Sequence, residues 1–508
     1  MERRRRLGRW ILTAAVALCF VGCGNNEESQ EEVIPPFDPS QPVVVSDFTP
    51  KEGGVGQRLI FYGQNFGNDP EIVHVFIGGK EAKVIGVKGE YIYCIVPEKA
   101  FAGNIEIRIG NDENAVIVSV AEAFAYQRKM VTSTLFGYRN ERDDQPEGNW
   151  GQLAEYNDGV SYKKNTPLSQ QATCQKQDSW LEFDPLNPDV LYMAYDNGAF
   201  TRIFLNDSIS QRILTKAAAG SGSTRFRTVA FTLDNQYMIM GDDRGGVNDR
   251  STMVLKRQDD FRSVTTLTTY KNCNGVAIHP VNGEMYFNSY EKGQFYRLDL
   301  TESSYFGGTK GVTGYDELFK IQDANWEFNI RIHPTGNYAY IVVCNKHYIL
   351  RSDYNWTAKK FNQPYVVCGE ASNDGGYEDA VGTMARLKRP YQGIFIKNPE
   401  YAGKDDEYDF YFTDRDNHCI RTLSPDGAVT TFAGRGSPSL NSNVNGYVEG
   451  DLRLEARFNS PTGLAYDAVN RIFYVGDKEN RRVRKIALEE MNDEEDEEPG
   501  EPEENENL

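Results

Sequence analysis

"GYEDAVGTMARLKRPYQGIFI" at residues 376–396, followed by "YDFYFTDRDNHCIRTLSPDGAVTTFAG" at 408–434, is written a second time as "GYVEGDLRLEARFNSPTGLAY" at 446–466 and "RIFYVGDKENRRVRKIA" at 471–487. Each copy runs in the same order: a Gly-Tyr and acidic turn, an Ala, a Pro, an apolar run, then an Asp-x-x-Asn unit and an Arg. Apolar runs of five to eight residues bounded by Gly, Asn, Asp or Pro are strand signals. Self-similarity at a fixed spacing marks a repeat architecture, in which each unit buries its faces only by stacking on its neighbours.

Working outward from these copies, the same first strand recurs as "WLEFDP" from Trp180, "RTVAFT" from Arg227, "NGVAIHP" from Asn274, "EFNIRIHP" from Glu327, "YQGIFIKNP" from Tyr391 and "TGLAYD" from Thr462. That makes six units of four strands. The sixth ends near Ala487 after three strands, while a lone segment, "KMVTSTLFG" at 129–137, precedes the first unit and is similar to the fourth strand "GAVTTFAG" at 427–434. Pairing Val131 to Leu135 with Arg482 to Ile486 supplies the missing strand and hides an open sheet edge. The two clear copies resemble NHL repeats, and Asn417, His418 and Ile420 reproduce that family's namesake spelling. The resemblance implies a six-bladed β-propeller over residues 127–488. The polar stretch at 138–178 reads as a long connection across one face, and "GGTKGVTG" from Gly307 and "KNPEYAGKDDEY" from Lys397 read as smaller insertions.

Upstream, residues 43–126 change pattern to short alternating strands: "VVVSDFTP", "RLIFYGQNF", "VHVFIGG", "YIYCIVP", "NIEIRIG" and "AVIVSV". Six or seven short strands with Gly, Asn and Pro turns predict a small sandwich. "FTPKEGGVGQRLIFYGQNFG", followed in order by "VFIGG" and "CIVP", resembles the IPT/TIG family of immunoglobulin-like domains. Gly63 and Gly67 are expected at tight turns that a Cβ would obstruct. The fold class expected is therefore all-β: an IPT/TIG β-sandwich followed by a six-bladed NHL-type propeller closed by an N-terminal strand. In the IPT/TIG family the domain is commonly a spacer or interaction module.

The ends carry an address. Arg3, Arg4, Arg5, Arg6 and Arg9 precede "WILTAAVALCFVGC", an apolar run too short for a comfortable membrane span and right for a signal-peptide core over residues 1–22. "FVGC" resembles a lipobox, with Phe20 departing from its usual Leu, and implies that Cys23 carries the lipid. Residues 23–42 are polar, acidic and proline-bearing, and read as a tether. Their acidic cluster resembles the surface-export signal of Bacteroides-type lipoproteins, placing the chain on the outer membrane facing outward. Residues 489–508 hold twelve acidic residues and no basic one, which reads as a solvated tail.

The net charge of −19 leaves no basic stripe for nucleic acid. Of the eight cysteines, Cys94, Cys174, Cys273, Cys344, Cys368 and Cys419 lie beyond the leader with no CxxC spacing, so no zinc framework is expected. Several fall inside apolar strand patterns, where a thiol acts as a small hydrophobe. No P-loop, G-x-S-x-G, H-E-x-x-H or EF-hand spelling occurs, and no cofactor is implied. His279 and His333 stand in the first turn of their units where other units have Asp184 and Asp467, and that exchange indicates a turn role.

A binding site is expected where first-strand entries and second turns share a face of the ring. The candidates are Trp180, Arg227, Asn274, Trp326, Tyr391 and Gln392 from the entries, with Asp243 and Arg244 from a turn. Aromatic planes beside Asn, Asp and Arg suit a sugar, whose CH face stacks while its hydroxyls hydrogen-bond. Against this, Asp414 and Asp477 recur in register as turn-capping residues do, and Trp180 and Trp326 also fit a core. The reading is a non-catalytic surface lipoprotein that binds a glycan beside outer-membrane uptake proteins. The alternatives are a metal- or carboxylate-dependent propeller hydrolase or lyase, as NHL-type relatives include, and a protein-binding scaffold.

Overall fold

A computed structural model of the chain describes residues 34–110, 115–137, 160–161, 174–243, 250–269, 272–289, 292–300, 314–323, 327–437 and 443–490. The leader, Cys23, the first part of the tether, most of the 138–178 stretch, the insertion beginning at Gly307 and the tail beyond residue 490 lie outside the described residues. So do Arg244 and Trp326. The chain divides into two compact units, Met1–Gln127 and Arg128–Leu508.

The first unit is an antiparallel sandwich whose strands neighbour one another in the order Val44–Thr49, Arg58–Gln64, Tyr91–Ile95, Lys80–Lys88, Val73–Ile77, Ile105–Ile109, Val116–Val120. Strand Lys80–Lys88 turns the corner. Its first part pairs with Val73–Ile77 (Val75 opposite Ala82), and its second part pairs with Tyr91–Ile95 (Val87 opposite Ile92). Alternation puts Val73, Val75 and Ile77 inside, against Phe48, Leu59, Phe61, Ile92 and Ile107. Gly67 has φ +77°, as a turn requires. Gly63 serves a different need: a Cβ there would lie 1.9 Å from the Val44 carbonyl oxygen, so it permits a close strand approach rather than a turn.

The second unit is a six-bladed propeller. Each blade is an antiparallel sheet meandering outward from an innermost strand, and the six innermost strands are Ser179–Asp184, Val229–Phe231, Val276–Ile278, Phe328–Ile332, Pro390–Lys397 and Pro461–Asp467. They pack consecutively around the ring, the last against the first. Six apolar clusters fill the gaps between blades, so both faces of every sheet are buried. Trp180, Tyr192 and Phe226 lie between blades 1 and 2, for example, and Phe473, Leu464 and Ile420 between blades 5 and 6.

The ring closes as its strand count requires. Met130–Gly137 is the fourth strand of blade 6, antiparallel to Arg482–Leu488, with Val131 opposite Ala487 and Thr134 opposite Arg484. Two short additions were not foreseen. Gly450–Asp451 extends blade 6 beyond Met130–Gly137, and Val160–Ser161, from the long connection, adds an outer edge to blade 1.

The repeated Asp-x-x-Asn unit explains itself in this geometry. Asp414 Oδ2 accepts from Asn417 Nδ2 at 2.8 Å and Arg421 Nη1 at 2.9 Å, and Asp477 Oδ2 does the same with Asn480 at 2.7 Å and Arg484 at 3.1 Å. The other carboxylate oxygen takes a backbone N–H just before the innermost strand, from Lys388 at 2.7 Å or Asn459 at 2.7 Å. These residues therefore cap backbone as expected, but across the blade instead of within their own turn. Asp184, Asp467 and His333 each accept from the backbone N–H two residues on, at 2.8, 2.9 and 3.3 Å, as does His279 at 3.3 Å, which accounts for the exchange of His and Asp at this turn.

Candidate functional site

The innermost strands run along the central channel, so each contributes one end to each face. At the face where they enter, the sequence candidates meet a network of charges. The Arg227 guanidinium contacts Asp196 at 2.9 Å, Asp243 at 2.8 Å and Glu327 at 2.8 Å. Asp178, from the lead-in to blade 1, pairs with Arg415 at 3.2 Å and Lys478 at 3.0 Å. Burial works to raise the Asp178 pKa, and the two cations outweigh it, leaving the carboxyl below its usual value. Burial dominates at Asp196 and pushes it up despite Arg227. Arg227, Asp243 and Tyr391 are thus brought together, with Tyr391 buried and its phenol pushed far up by burial and by the neighbouring Glu327 and Asp178. Carboxylates and cations here are matched and mutually bonded, which is the chemistry of a closed seam.

Asn274 is committed to the fold, its Oδ1 accepting from Asn288 Nδ2 and from the Phe328 N–H at 3.4 Å. Gln392 lies inside the channel and is fully buried. Its Nε2 donates to the Leu181 carbonyl at 2.6 Å, and its Oε1 accepts from the Leu181 and Leu464 N–H groups, each at 2.9 Å. One side chain of blade 5 therefore ties blades 1 and 6 across the channel. Trp180 is only 2% exposed and belongs to the apolar core between blades 1 and 2, so it presents no face for stacking a ligand. Trp326 and Arg244, outside the described residues, receive no placement.

A large cavity opens on the opposite face, where the innermost strands end. It encloses about 1020 Å³ and reaches from the channel outward between blades 5 and 6. Its channel end holds Glu182 and Arg331, which form a two-pronged ion pair at 3.0 and 3.4 Å. Blades 1 and 4 stand opposite each other in a ring of six, so this pair crosses the channel. Arg331 Nε donates to the Gly393 carbonyl at 3.0 Å, and its guanidinium lies 5.0 Å from the Trp180 ring centre. Trp180 Nε1 donates to the Glu182 carboxylate at 3.2 Å. Trp180 thus acts one layer behind the cavity, holding both partners of the pair.

Outward from the pair the wall becomes aromatic. Tyr411, Phe432, Phe473 and Tyr466 form a connected cluster with ring centres 4.6 to 5.1 Å apart. Tyr411, Phe432 and Tyr466 are half-buried, leaving part of each ring facing the cavity. None of the described sequence candidates lines this cavity. A signal for it stands in the repeat register: at one position of the innermost strand the six blades carry Glu182, Ala230, Ala277, Arg331, Ile394 and Ala465. Opposite charges in the two diametric blades, at a position otherwise apolar, mark the channel end of the cavity. Among the described residues no group of three or more His, Cys, Asp or Glu stands together as a metal site would.

Comparison with known proteins agrees with both units. The family model of the IPT/TIG domain matches residues 42–126. An auxiliary nutrient binding protein from Bacteroides thetaiotaomicron is 43% identical, the match covering 90% of this chain and 100% of that one with a TM-score of 0.74. A second protein of the same organism, described as a candidate phosphatase, is 44% identical over 90% of this chain and 99% of its own, with a TM-score of 0.79. An auxiliary nutrient binding protein from Bacteroides ovatus is 37% identical over 90% and 100%, with a TM-score of 0.62. No curated protein matches the chain.

Proposed function

This chain belongs to the same family as these three Bacteroides proteins, and on that premise we propose that it is a non-catalytic binding protein of the cell envelope, capturing a glycan nutrient in the cavity between blades 5 and 6. Two of the relatives are described as auxiliary nutrient binding proteins, which supports a capture role. Cys23 is the lipid attachment point in this reading, the acidic tether carries the folded units away from the membrane, and outer-membrane uptake proteins receive the ligand.

The observation that carries the glycan assignment is the composition of the cavity. Half-buried Tyr411, Phe432 and Tyr466 offer ring faces, while Glu182 and Arg331 offer a fixed acceptor and donor. Sugars need this combination, stacking through their CH faces and hydrogen-bonding through their hydroxyls. The charges on the other face are more deeply buried, Arg227 and Asp243 each being 11% exposed against 22% and 24% for Arg331 and Glu182.

The test is affinity electrophoresis of the chain without its leader through gels containing individual polysaccharides. Retention by at least one polysaccharide is expected, and Tyr466→Ala should weaken it about tenfold, the value of one aromatic contact. Retention unaltered in Tyr466→Ala removes the cavity from the account. A phosphatase assay run in parallel on the same preparations addresses the activity in one relative's description, and turnover abolished by Glu182→Gln would replace capture with catalysis.

A further inference from the structure

Resting on the reading of the cavity as a glycan site, we propose that it takes the terminus of a neutral, linear glycan, seating the end sugar on Glu182 and Arg331 while the chain leaves between blades 5 and 6. Three observations lead to this. The first is that the cavity is blind at its channel end. Behind the Glu182–Arg331 pair stands Gln392, whose amide is bonded to Leu181 and Leu464, and all three side chains are fully buried, which leaves no solvent path along the ring axis at that level. A chain therefore cannot pass through the ring behind the pair, and seating an end there leaves only one exit, outward between blades 5 and 6.

The second is shape. The lining runs from the innermost strands (Leu181, Leu464) through the second strands (Tyr411, Phe473) to the fourth strands (Phe432 in blade 5, Met130 in blade 6). Three strand spacings of about 4.8 Å make a path of roughly 14 Å. At about 1020 Å³ the cavity is at the upper end of the range for small-molecule sites, more than one sugar ring needs.

The third is charge. The lining carries Glu182, Glu400 and Asp409 against Arg331, Lys397 and Arg471, so no net field favours an acidic chain. At the blind end the carboxylate can accept from one hydroxyl and the guanidinium can donate to its neighbour, which a pair of adjacent sugar hydroxyls satisfies without adding charge. Trp180 and the Gly393 carbonyl hold both groups in place before the sugar arrives, so little ordering remains for the ligand to impose.

End recognition has a signature independent of which sugar is bound: one protein per chain, whatever the chain length. Titration and light scattering with neutral β-linked gluco-, xylo- and manno-oligosaccharides, each as hexasaccharides and as long chains, measure it directly. Trigalacturonic acid serves as the acidic probe. The expected result is binding of at least one neutral series at one protein per chain for both lengths, with trigalacturonic acid bound more weakly. Glu182→Gln should bind about tenfold more weakly, as loss of one charge-assisted contact implies, with its thermal midpoint checked alongside. Several proteins on each long chain, or preference for trigalacturonic acid, overturns the proposal and leaves glycan capture standing. Binding of no saccharide, neutral or acidic, overturns both.

Discussion

Replacing Gln392 by Leu tests whether the propeller ring is braced through its channel. The side chain is fully buried and makes three hydrogen bonds to backbone groups of two other blades, at 2.6, 2.9 and 2.9 Å. Leucine fills nearly the same volume and offers nothing to the Leu181 N–H, the Leu181 carbonyl or the Leu464 N–H. A buried backbone group left without a partner costs about 1–3 kcal/mol. Leu181 and Leu464 border the cavity, so water relieves part of the loss, and the three groups together should cost about 3–6 kcal/mol. Unfolding entropy of about 2.1 cal/mol/K per residue, over a unit of several hundred residues, makes each kcal/mol worth roughly 1–1.5 °C. The thermal midpoint of the propeller should therefore fall by about 4–8 °C, read by scanning calorimetry against a urea titration of the same variant. Gln392→Glu keeps both acceptor contacts but sets a buried carboxylate oxygen against the Leu181 carbonyl, and should lose at least as much at neutral pH. A fall below about 1.5 °C in Gln392→Leu would mean that the innermost strands need no brace, and the blind end of the cavity would lose its support.

Acid should destabilise the propeller from neutral pH downward. Burial holds His279, His333, His347 and His418 below the usual imidazole range, so the folded chain refuses protons that the unfolded chain takes up as pH falls through about 6.5. Asp414, pushed up to about 6 by burial, and Asp196, Asp409 and Asp477, raised by the same cause, work in the opposite sense, four carboxyls against four imidazoles, but the carboxyls start from a usual value of 3.8 and the imidazoles from 6.5, so the imidazoles govern the neutral range. The urea midpoint should thus decline between pH 7.5 and 6, and a flat or rising midpoint contradicts the burial of these imidazoles. The thiols make a separate test: Cys94, Cys174 and Cys273 are each pushed up to about 12 by burial, and Cys344, Cys368 and Cys419 are raised by the same cause. Native protein without its leader and Cys23 should leave these six unreacted with a thiol reagent over minutes and release all six in denaturant. Rapid reaction of any one in native protein refutes its burial.

What the sequence made legible, and what it did not, follows from the range of the interactions concerned. The closure of blade 6 could be read because it is a matter of counting: three strands in the last copy, one orphan strand before the first, and a cost for open edges. The turn roles of Asp184, His279, His333 and Asp467 could be read because a capping side chain acts on backbone two residues away. The cavity was harder. Its channel end joins residues 149 positions apart in the chain, and its aromatic wall uses the same alternation as the interblade cores, so Tyr466 and Phe473 look alike in sequence. The entry-face candidates combine polarity with aromatic character. Polarity there turned out to serve the fold, with Arg227 surrounded by three carboxylates and Asn274 bonded to Asn288. A comparison of all six blades at one register position separates the two cases, since Glu182 and Arg331 break a column of Ala and Ile.

Trp180 serves this pair from the core and not as a stacking surface. An indole at the start of an innermost strand can face a ligand or face its own blade interface, and burial settles the matter in favour of the interface. Yet the same strand places Glu182 two residues on, pointing to the same side, and the Nε1–H reaches that carboxylate at 3.2 Å. Arg331 arrives from the opposite blade and lies over the ring. A charged pair about three-quarters buried is costly unless its geometry is fixed by other contacts, and here the fixing groups are a core tryptophan and a backbone carbonyl that no ligand touches. Facing a cavity of about 1020 Å³ leaves the pair part of its hydration, which full burial would remove at further cost. The partial exposure of Glu182 and Arg331, at 24% and 22% of their side chains, is what a site requires: charge held rigid from behind and left open in front.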